Sequence, residues 1–150
     1  MNSLIKGSLK KFTRLIGGQK FLSAQFDITN ACNLRCTHCY HSDHKNKGAL
    51  SLAQWEDIIT QYENLLDKLL LEPEVTLCGG EPILSPMFIP IIKILNIRFP
   101  GIRINVLTNG VLITDELLLQ LGDYKIVFQV SLDGPDSERH DEIRGKGNFE

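Results

Sequence analysis

The segment that organises this chain runs from Cys32 to Tyr40 and reads Cys-Asn-Leu-Arg-Cys-Thr-His-Cys-Tyr. Its cysteines, Cys32, Cys36 and Cys39, have the spacing C-x3-C-x2-C and follow an apolar run that predicts a strand. A loop this short can place three thiolates at three corners of a [4Fe–4S] cubane, whereas such clusters normally take four. The spacing therefore predicts an iron–sulfur cluster with one iron free of protein ligands.

A zinc site is the alternative interpretation of the same cysteines. Zinc takes cysteine and histidine ligands, usually four, and His41, His44 or Cys78 could complete the set. Zinc-binding loops favour paired C-x2-C elements, so the spacing favours iron–sulfur. A metal-binding or partner-binding module without catalysis, loaded with zinc or with a cluster, remains the alternative function.

The composition limits the class of protein. With 150 residues, the chain has room for one domain with a hydrophobic core. Its 43% hydrophobic and 23% charged residues are typical of a soluble globular protein. A net charge of −2 gives no bulk attraction to nucleic acid, and no apolar run approaches the roughly 18 residues of a membrane span. Clustered cysteines indicate a metal site, so we expect a reducing cytoplasm.

Apolar periodicity predicts strands that alternate with helices. We expect strands at 23–29, 75–77, 102–107 and 125–132, and helices at 52–69, 85–98 and 115–121. This order is that of β/α units around a parallel sheet, an α/β fold. Conspicuous polar motifs stand where strands end, and parallel α/β folds bind ligands outside the carboxyl ends of their strands. We therefore expect the motifs to meet at one site.

At the cysteine loop the chain resembles the radical S-adenosylmethionine (SAM) enzymes, whose signature is C-x3-C-x2-C with an aromatic residue before the last cysteine. His38 holds that position here. The resemblance implies a [4Fe–4S] cluster on Cys32, Cys36 and Cys39, with SAM chelating the open iron. It further implies reductive cleavage of SAM to a 5′-deoxyadenosyl radical that abstracts hydrogen from substrate. A reducing partner such as flavodoxin or ferredoxin would supply the electron.

The segment Gly79-Gly80-Glu81-Pro82 resembles the family's GGEP motif. Residues without Cβ let the backbone approach a ligand closely. The resemblance implies a contact with the SAM amino group, through free carbonyls or through Glu81, whereas an ordinary tight turn is the alternative. Cys78 precedes the motif, and we interpret it as a small buried thiol, because a fourth cluster ligand would block the iron that SAM needs.

Two further strand ends resemble family motifs. Thr108-Asn109-Gly110 resembles TNG, and the Asn109 amide could reach cofactor or substrate, although Asn-Gly also favours a β-turn by itself. Ser131-Leu132-Asp133-Gly134 resembles SLDG. Ser131 and Asp133 share one side of a strand and could bind ribose hydroxyls, although Asp133 could instead cap a helix.

The stretch from His140 to Phe149 resembles one found in radical SAM enzymes that modify peptides and proteins, many of which carry an extra cluster-binding (SPASM) domain. The resemblance implies that Arg144 lies near SAM and that the substrate is a peptide or protein, as in peptide maturation. Nucleosides, small metabolites and a glycyl-radical partner are the competing substrates, and a solvated basic loop is the alternative for Arg144. Tyr40 is expected to pack against adenine or in the core.

The resemblance covers about residues 25–149, so we expect a radical SAM core domain at 23–150 and an N-terminal extension at 1–22. Apolar residues at near-helical spacing in the extension predict a helix or strand packed on the domain. A basic amphipathic helix that touches a membrane surface or a partner is the alternative. The family's partial barrel has six β/α units, but four strands are predicted here. We therefore expect a partial (β/α) TIM-like barrel, truncated after about four parallel strands, that is the N-terminal part of such an enzyme.

Overall fold

Parallel strands alternate with helices in the computed structural model, which describes residues 20–40 and 48–149 together with Gly17 and Lys45. The strands are β1 (Phe21–Thr29), β2 (Glu72–Gly79), β3 (Arg103–Thr108) and β4 (Lys125–Val130). The α-helices that follow β1 are α1 (Leu52–Leu69), α2 (Phe88–Arg98), α3 (Asp115–Leu121) and α4 (Ser137–Arg144). A short 3-10 helix, Pro82–Leu84, follows β2.

The four strands form one open sheet in the order β1-β2-β3-β4, and every neighbouring pair is parallel. Strands that are adjacent in sequence are thus adjacent in space, as in a (β/α) barrel. The predicted α/β class, with four parallel strands that alternate with helices as in part of a (β/α) barrel, is confirmed. All four carboxyl ends consequently lie at one edge of the sheet.

The core lies between the helices and one face of the sheet. Alternate strand residues such as Val75, Leu77, Ile104 and Val106 are fully buried there. They pack against the apolar faces of α1 and α2, whose buried residues are Trp55, Ile59, Tyr62, Leu66, Phe88, Ile91, Ile92 and Leu95. Because side chains alternate along a strand, the intervening residues point to the other face, and many are polar: Gln25, Asp27, Thr76, Asn105 and Gln129.

Helix α1 begins where the sequence predicts. The Ser51 side chain accepts a hydrogen bond from the Gln54 backbone N–H, and Gln54 Oε1 accepts one from the Ser51 backbone N–H at 2.9 Å. This capping box satisfies two backbone donors that a helix start leaves unpaired. The helix ends at Leu70, which adopts the left-handed conformation at φ 57° and donates its N–H to Leu66.

Helix α2 begins three residues later than expected, at Phe88 instead of Ser85. Ser85 precedes Pro86, and a residue before proline is disfavoured in the helical region; its ψ is 130°. Its hydroxyl instead donates to the Ile28 carbonyl at 3.3 Å and accepts from the Met87 N–H at 3.2 Å. The segment between β2 and α2 is therefore hydrogen-bonded to β1 through Ser85.

The predicted N-terminal element falls almost entirely outside the described residues. Strand β1 begins at Phe21, two residues before the predicted start, and β4 ends at Val130, two residues before the predicted end. Among the described residues, no helix combines the length and the apolar character needed to cross a membrane.

We expect Tyr62→Phe to lower the free energy of unfolding by about 1–3 kcal/mol, because its hydroxyl joins β1 to β2. The hydroxyl donates to the Leu22 carbonyl and accepts from the Glu74 N–H at 3.1 Å. Urea denaturation measures the change. Tyr124→Phe is the matched control, since no hydrogen bond to its hydroxyl is found within the described part of the chain, and equal losses in both variants would contradict the prediction.

Candidate cofactor site at the carboxyl ends of the strands

A cavity of about 320 Å³ opens at the carboxyl ends of the strands. It is lined by most of the predicted site residues: Cys32, Cys36, Cys39, Tyr40, Gly79, Gly80, Asn109, Ser131 and Arg144. Glu81 and Asp133 lie outside the lining. A larger open groove, about 810 Å³, lies at the amino ends of the strands and contains none of the predicted residues. The strand-end motifs thus meet at one place, as the alternation of strands and helices predicts.

The three loop cysteines are half-buried free thiols that face the same cavity. Burial raises the pKa of the Cys36 thiol; the nearby Arg144 guanidinium opposes this, and the neighbouring Cys32 and Cys39 thiols add to it. The described residues contain no group of three His, Cys, Asp or Glu spaced for a single metal ion, and His41 and His44 lie outside them. Three neighbouring thiols fit a cluster, in which each thiolate binds a different iron.

The backbone of the cysteine loop is ordered by local hydrogen bonds. The Leu34 N–H donates to Cys32 Sγ at 3.4 Å, and the Cys39 N–H donates to the Cys36 carbonyl at 3.1 Å. Arg35 Nη1 donates to the Cys32 and Leu34 carbonyls, each at 2.7 Å. The loop is therefore held in a defined shape by hydrogen bonds among its own residues.

The last turn of α4 holds the other half of the loop. The Thr37 N–H donates to the Ile143 carbonyl at 2.9 Å. Arg144, whose side chain is 12% exposed, donates from Nε to the Asp133 carboxylate, and His38 Nε2 lies 3.8 Å from the same carboxylate. The carboxylate that Arg144 pairs with therefore belongs to Asp133 of the protein, and the expected position of Arg144 near SAM stays a prediction. The ribose contact expected of Asp133 stays a prediction.

Gly79 and Gly80 let β2 end directly against the chain that leaves β1. A Cβ on Gly79 would lie 2.1 Å from the Thr29 carbonyl oxygen, and one on Gly80 would lie 2.3 Å from that of Ala31. Gly79 also has φ +128°, which side chains disfavour. The Gly80 N–H donates to Thr29 at 2.8 Å. The close approach predicted for this motif exists, but here the backbone approaches the entry to the cysteine loop.

The Glu81 side chain is fully buried and joins β2 to β3. Its carboxylate accepts hydrogen bonds from Thr108 Oγ1 and from the Asn109 N–H, each at 2.9 Å, and from the Ile83 N–H at 3.2 Å. All three donors belong to the protein, so the Glu81 carboxylate, which was expected to contact the SAM amino group, is already hydrogen-bonded. This link between the two strands was not predicted, because the sequence of the motif does not show that the end of β3 contacts Glu81.

Cys78 is the small buried thiol that the sequence analysis expected, at 4% exposure. Its Sγ donates to Asp27 Oδ1 at 2.7 Å. Burial, together with the hydrogen bond to and the charge of the Asp27 carboxylate, raises the pKa of the thiol to about 12. Cys78 thus stays protonated at neutral pH, unlike a thiolate ligand.

We expect Cys78 to resist iodoacetamide in the folded protein at pH 8, because only the thiolate reacts and the pH lies far below a pKa of about 12. Since the pKa is raised, reactivity should grow only as the pH climbs toward that value. Mass spectrometry of the peptides locates the label, and the same treatment in urea is the control in which every cysteine reacts. Rapid labelling of Cys78 in the folded chain would contradict the prediction.

Tyr40 projects from the loop with 79% of its surface exposed. It borders the cavity and does not belong to the core, and its contact with adenine stays a prediction. Gln25 and Leu107 also line the cavity and were missed by the sequence analysis. Strand alternation could have found both, since each lies on the face opposite the buried residues.

The family model of the Radical SAM superfamily matches residues 26–150. The chain belongs to the Radical SAM superfamily. Membership implies a [4Fe–4S] cluster and SAM as cofactors.

Curated relatives of this radical SAM chain include a maturase and a bacteriocin biosynthesis protein. It is 35% identical over 153 residues to mycofactocin maturase MftC of Mycobacterium tuberculosis, covering 100% of this chain and 37% of that protein. It is 38% identical over 132 residues to the antilisterial bacteriocin subtilosin biosynthesis protein AlbA of Bacillus subtilis, covering 85% of this chain and 28% of that protein. The chain thus spans about a third of the length of these relatives.

Solved structures share the fold. Streptococcus suis SuiB, in a crystal structure with the precursor peptide SuiA, superposes with a TM-score of 0.69 at 20% identity, covering 95% of this chain and 32% of SuiB. Native anSMEcpe with bound AdoMet gives a TM-score of 0.67 at 25% identity, covering 83% of this chain and 36% of that protein. Both likenesses extend over most of this chain.

Proposed function

We propose that this chain is the cluster-binding and SAM-binding part of a radical SAM enzyme that modifies a peptide. The observation that carries the proposal is the single cavity lined by Cys32, Cys36 and Cys39 together with the ends of β2 and β3 and Arg144 of α4. Parallel β/α folds place their ligands at this edge of the sheet. Membership of the Radical SAM superfamily supports a [4Fe–4S] cluster and SAM as these ligands.

The three loop cysteines would hold the cluster, and the strand ends would hold SAM. When bound, the reduced cluster supplies one electron that cleaves SAM to methionine and a 5′-deoxyadenosyl radical, which abstracts hydrogen from the substrate. This chain's part is binding and orientation. The cavity is lined on the SAM side by Gly79, Gly80, Asn109 and Ser131, which would contact the cofactor. The exposed Tyr40 ring would pack against adenine, and Arg144 supplies positive charge beside Cys36.

A peptide substrate is supported by the relatives. MftC and AlbA are named as a maturase and a bacteriocin biosynthesis protein, and SuiB has been solved with a precursor peptide. The resemblance of the stretch from His140 to Phe149 to peptide-modifying enzymes points the same way. The one-electron chemistry requires a reducing donor such as flavodoxin or ferredoxin, and thiolate ligands suit a reducing cytoplasm.

Electron paramagnetic resonance (EPR) of the anaerobically reconstituted, dithionite-reduced chain tests the proposal. We expect a [4Fe–4S]⁺ signal that changes when SAM is added, because SAM would bind the open iron. Formation of 5′-deoxyadenosine then separates an enzyme from a cluster carrier. A cluster whose signal ignores SAM would contradict the assignment of SAM binding to this chain, and stoichiometric zinc without a cluster would favour the binding-module alternative.

A further inference from the structure

Asn109, at the carboxyl end of β3, is held by hydrogen bonds in a single orientation. Its backbone N–H donates to the buried Glu81 carboxylate at 2.9 Å. Its Oδ1 accepts from the Val111 N–H at 3.0 Å, so Oδ1 must face that backbone donor. The amide nitrogen of Asn109 is thereby directed to the other side, toward the cysteine loop.

The acceptor of the hydrogen bond from this nitrogen belongs to the cysteine loop. Asn109 Nδ2 donates to Asn33 Oδ1 at 2.8 Å, a contact across 76 positions of sequence. Asn33 stands between Cys32 and Leu34, and the Leu34 N–H donates to Cys32 Sγ at 3.4 Å. Asn109 therefore anchors the short stretch of backbone that donates a hydrogen bond to a cysteine sulfur.

We propose that Asn109 is a positioning residue, which holds the first half of the cysteine loop through Asn33. By fixing residues 32–34 it maintains the N–H···S hydrogen bond to Cys32. Hydrogen bonds to the sulfurs of an iron–sulfur cluster raise its reduction potential, and solvent exposure also affects it. This inference rests on the proposed function, and it assigns Asn109 an action on the cluster that is independent of SAM.

The test compares Asn33→Ala, Asn109→Ala and the double variant in the anaerobically reconstituted chain without SAM. EPR-monitored redox titration gives the midpoint potential, and the half-time of iron release to a chelator gives cluster retention. We expect both single variants to shift the potential to more negative values and to release iron about fivefold faster, as loss of one ordinary hydrogen bond predicts. The double variant should show no further change, because both substitutions break the same contact.

Asn96→Ala is the matched control, because among the described residues its side chain bonds only within α2, to the Ile92 carbonyl at 3.0 Å. This variant should match the parent chain in both measurements. Parent-like potential and iron release in Asn33→Ala would overturn the inference, as would a double variant whose shift is the sum of the singles. Should Asn109→Ala fail to fold, the exposed Asn33→Ala decides alone. If the parent chain binds the cluster and SAM, but Asn33→Ala has the same potential and the same rate of iron release, only this inference is refuted. If the parent chain binds no cluster, the proposed function is refuted as well.

Discussion

Replacing Cys36 by alanine should abolish the intact cluster. Cys36 lies between Cys32 and Cys39, within the loop held at residue 37 by α4. Two remaining thiolates would leave two irons of a [4Fe–4S] cluster without protein ligands, one more than the open site that SAM requires. Bound iron and sulfide per chain, and the absorbance near 400 nm, should fall by at least about tenfold, which corresponds to 1.4 kcal/mol or more of binding free energy.

Cys78→Ser is the matched control for this prediction. Cys78 borders the same cavity, but its thiol is protonated and donates to Asp27. We therefore expect the serine variant to retain its iron, whereas a comparable loss would mean that Cys78 is a ligand. Full iron content and SAM cleavage in Cys36→Ala would refute the assignment of the cysteine loop.

Glu81→Gln should lower the free energy of unfolding by about 3 kcal/mol. The carboxylate is fully buried and accepts from two backbone N–H groups and the Thr108 hydroxyl. A glutamine has one acceptor oxygen, and its NH2 group must face at least one of these donors. Hydrogen bonds to charged groups contribute about 1.5–3 kcal/mol, and a buried donor left unpaired adds its desolvation cost. Chemical denaturation monitored by circular dichroism measures the loss.

Glu63→Gln is the control for the same chemical change at the surface. Glu63 pairs with Arg98 at 2.7 Å, and both side chains are more than a third exposed to solvent. Exposed ion pairs contribute about 0–1 kcal/mol, so this variant should stay close to the parent chain. If Glu81→Gln were as stable as Glu63→Gln, the buried carboxylate would not be the link between β2 and β3 that the geometry indicates.

The regular elements were predictable because their signals are local. Period-2 and period-3.6 apolar patterns located all four strands and α1 to α3. The start of α2 was placed too early, because Ser85 lies before Pro86 and binds the Ile28 carbonyl. That hydrogen bond joins residues 57 positions apart, which no local pattern reveals.

The membership of the site was also largely predictable. Its motifs follow strands, and in a parallel sheet the ends of those strands converge. The direction of each carboxylate was not predictable. Glu81 turns into the core toward Thr108, and Asp133 turns toward Arg144, so the two acidic residues expected to touch SAM lie outside the cavity lining.

The sequence by itself determined the order of β/α units, the three-cysteine loop and the set of residues that meet at the strand ends, because each depends on spacing along the chain. The tertiary structure decided which polar groups face the cavity and which hold its wall together. Asn109 reaches Asn33, and Thr37 reaches Ile143, across loops and strands distant in sequence. Hydrogen-bond partners depend on angles and distances of a few ångströms, and these exist only once the sheet has formed.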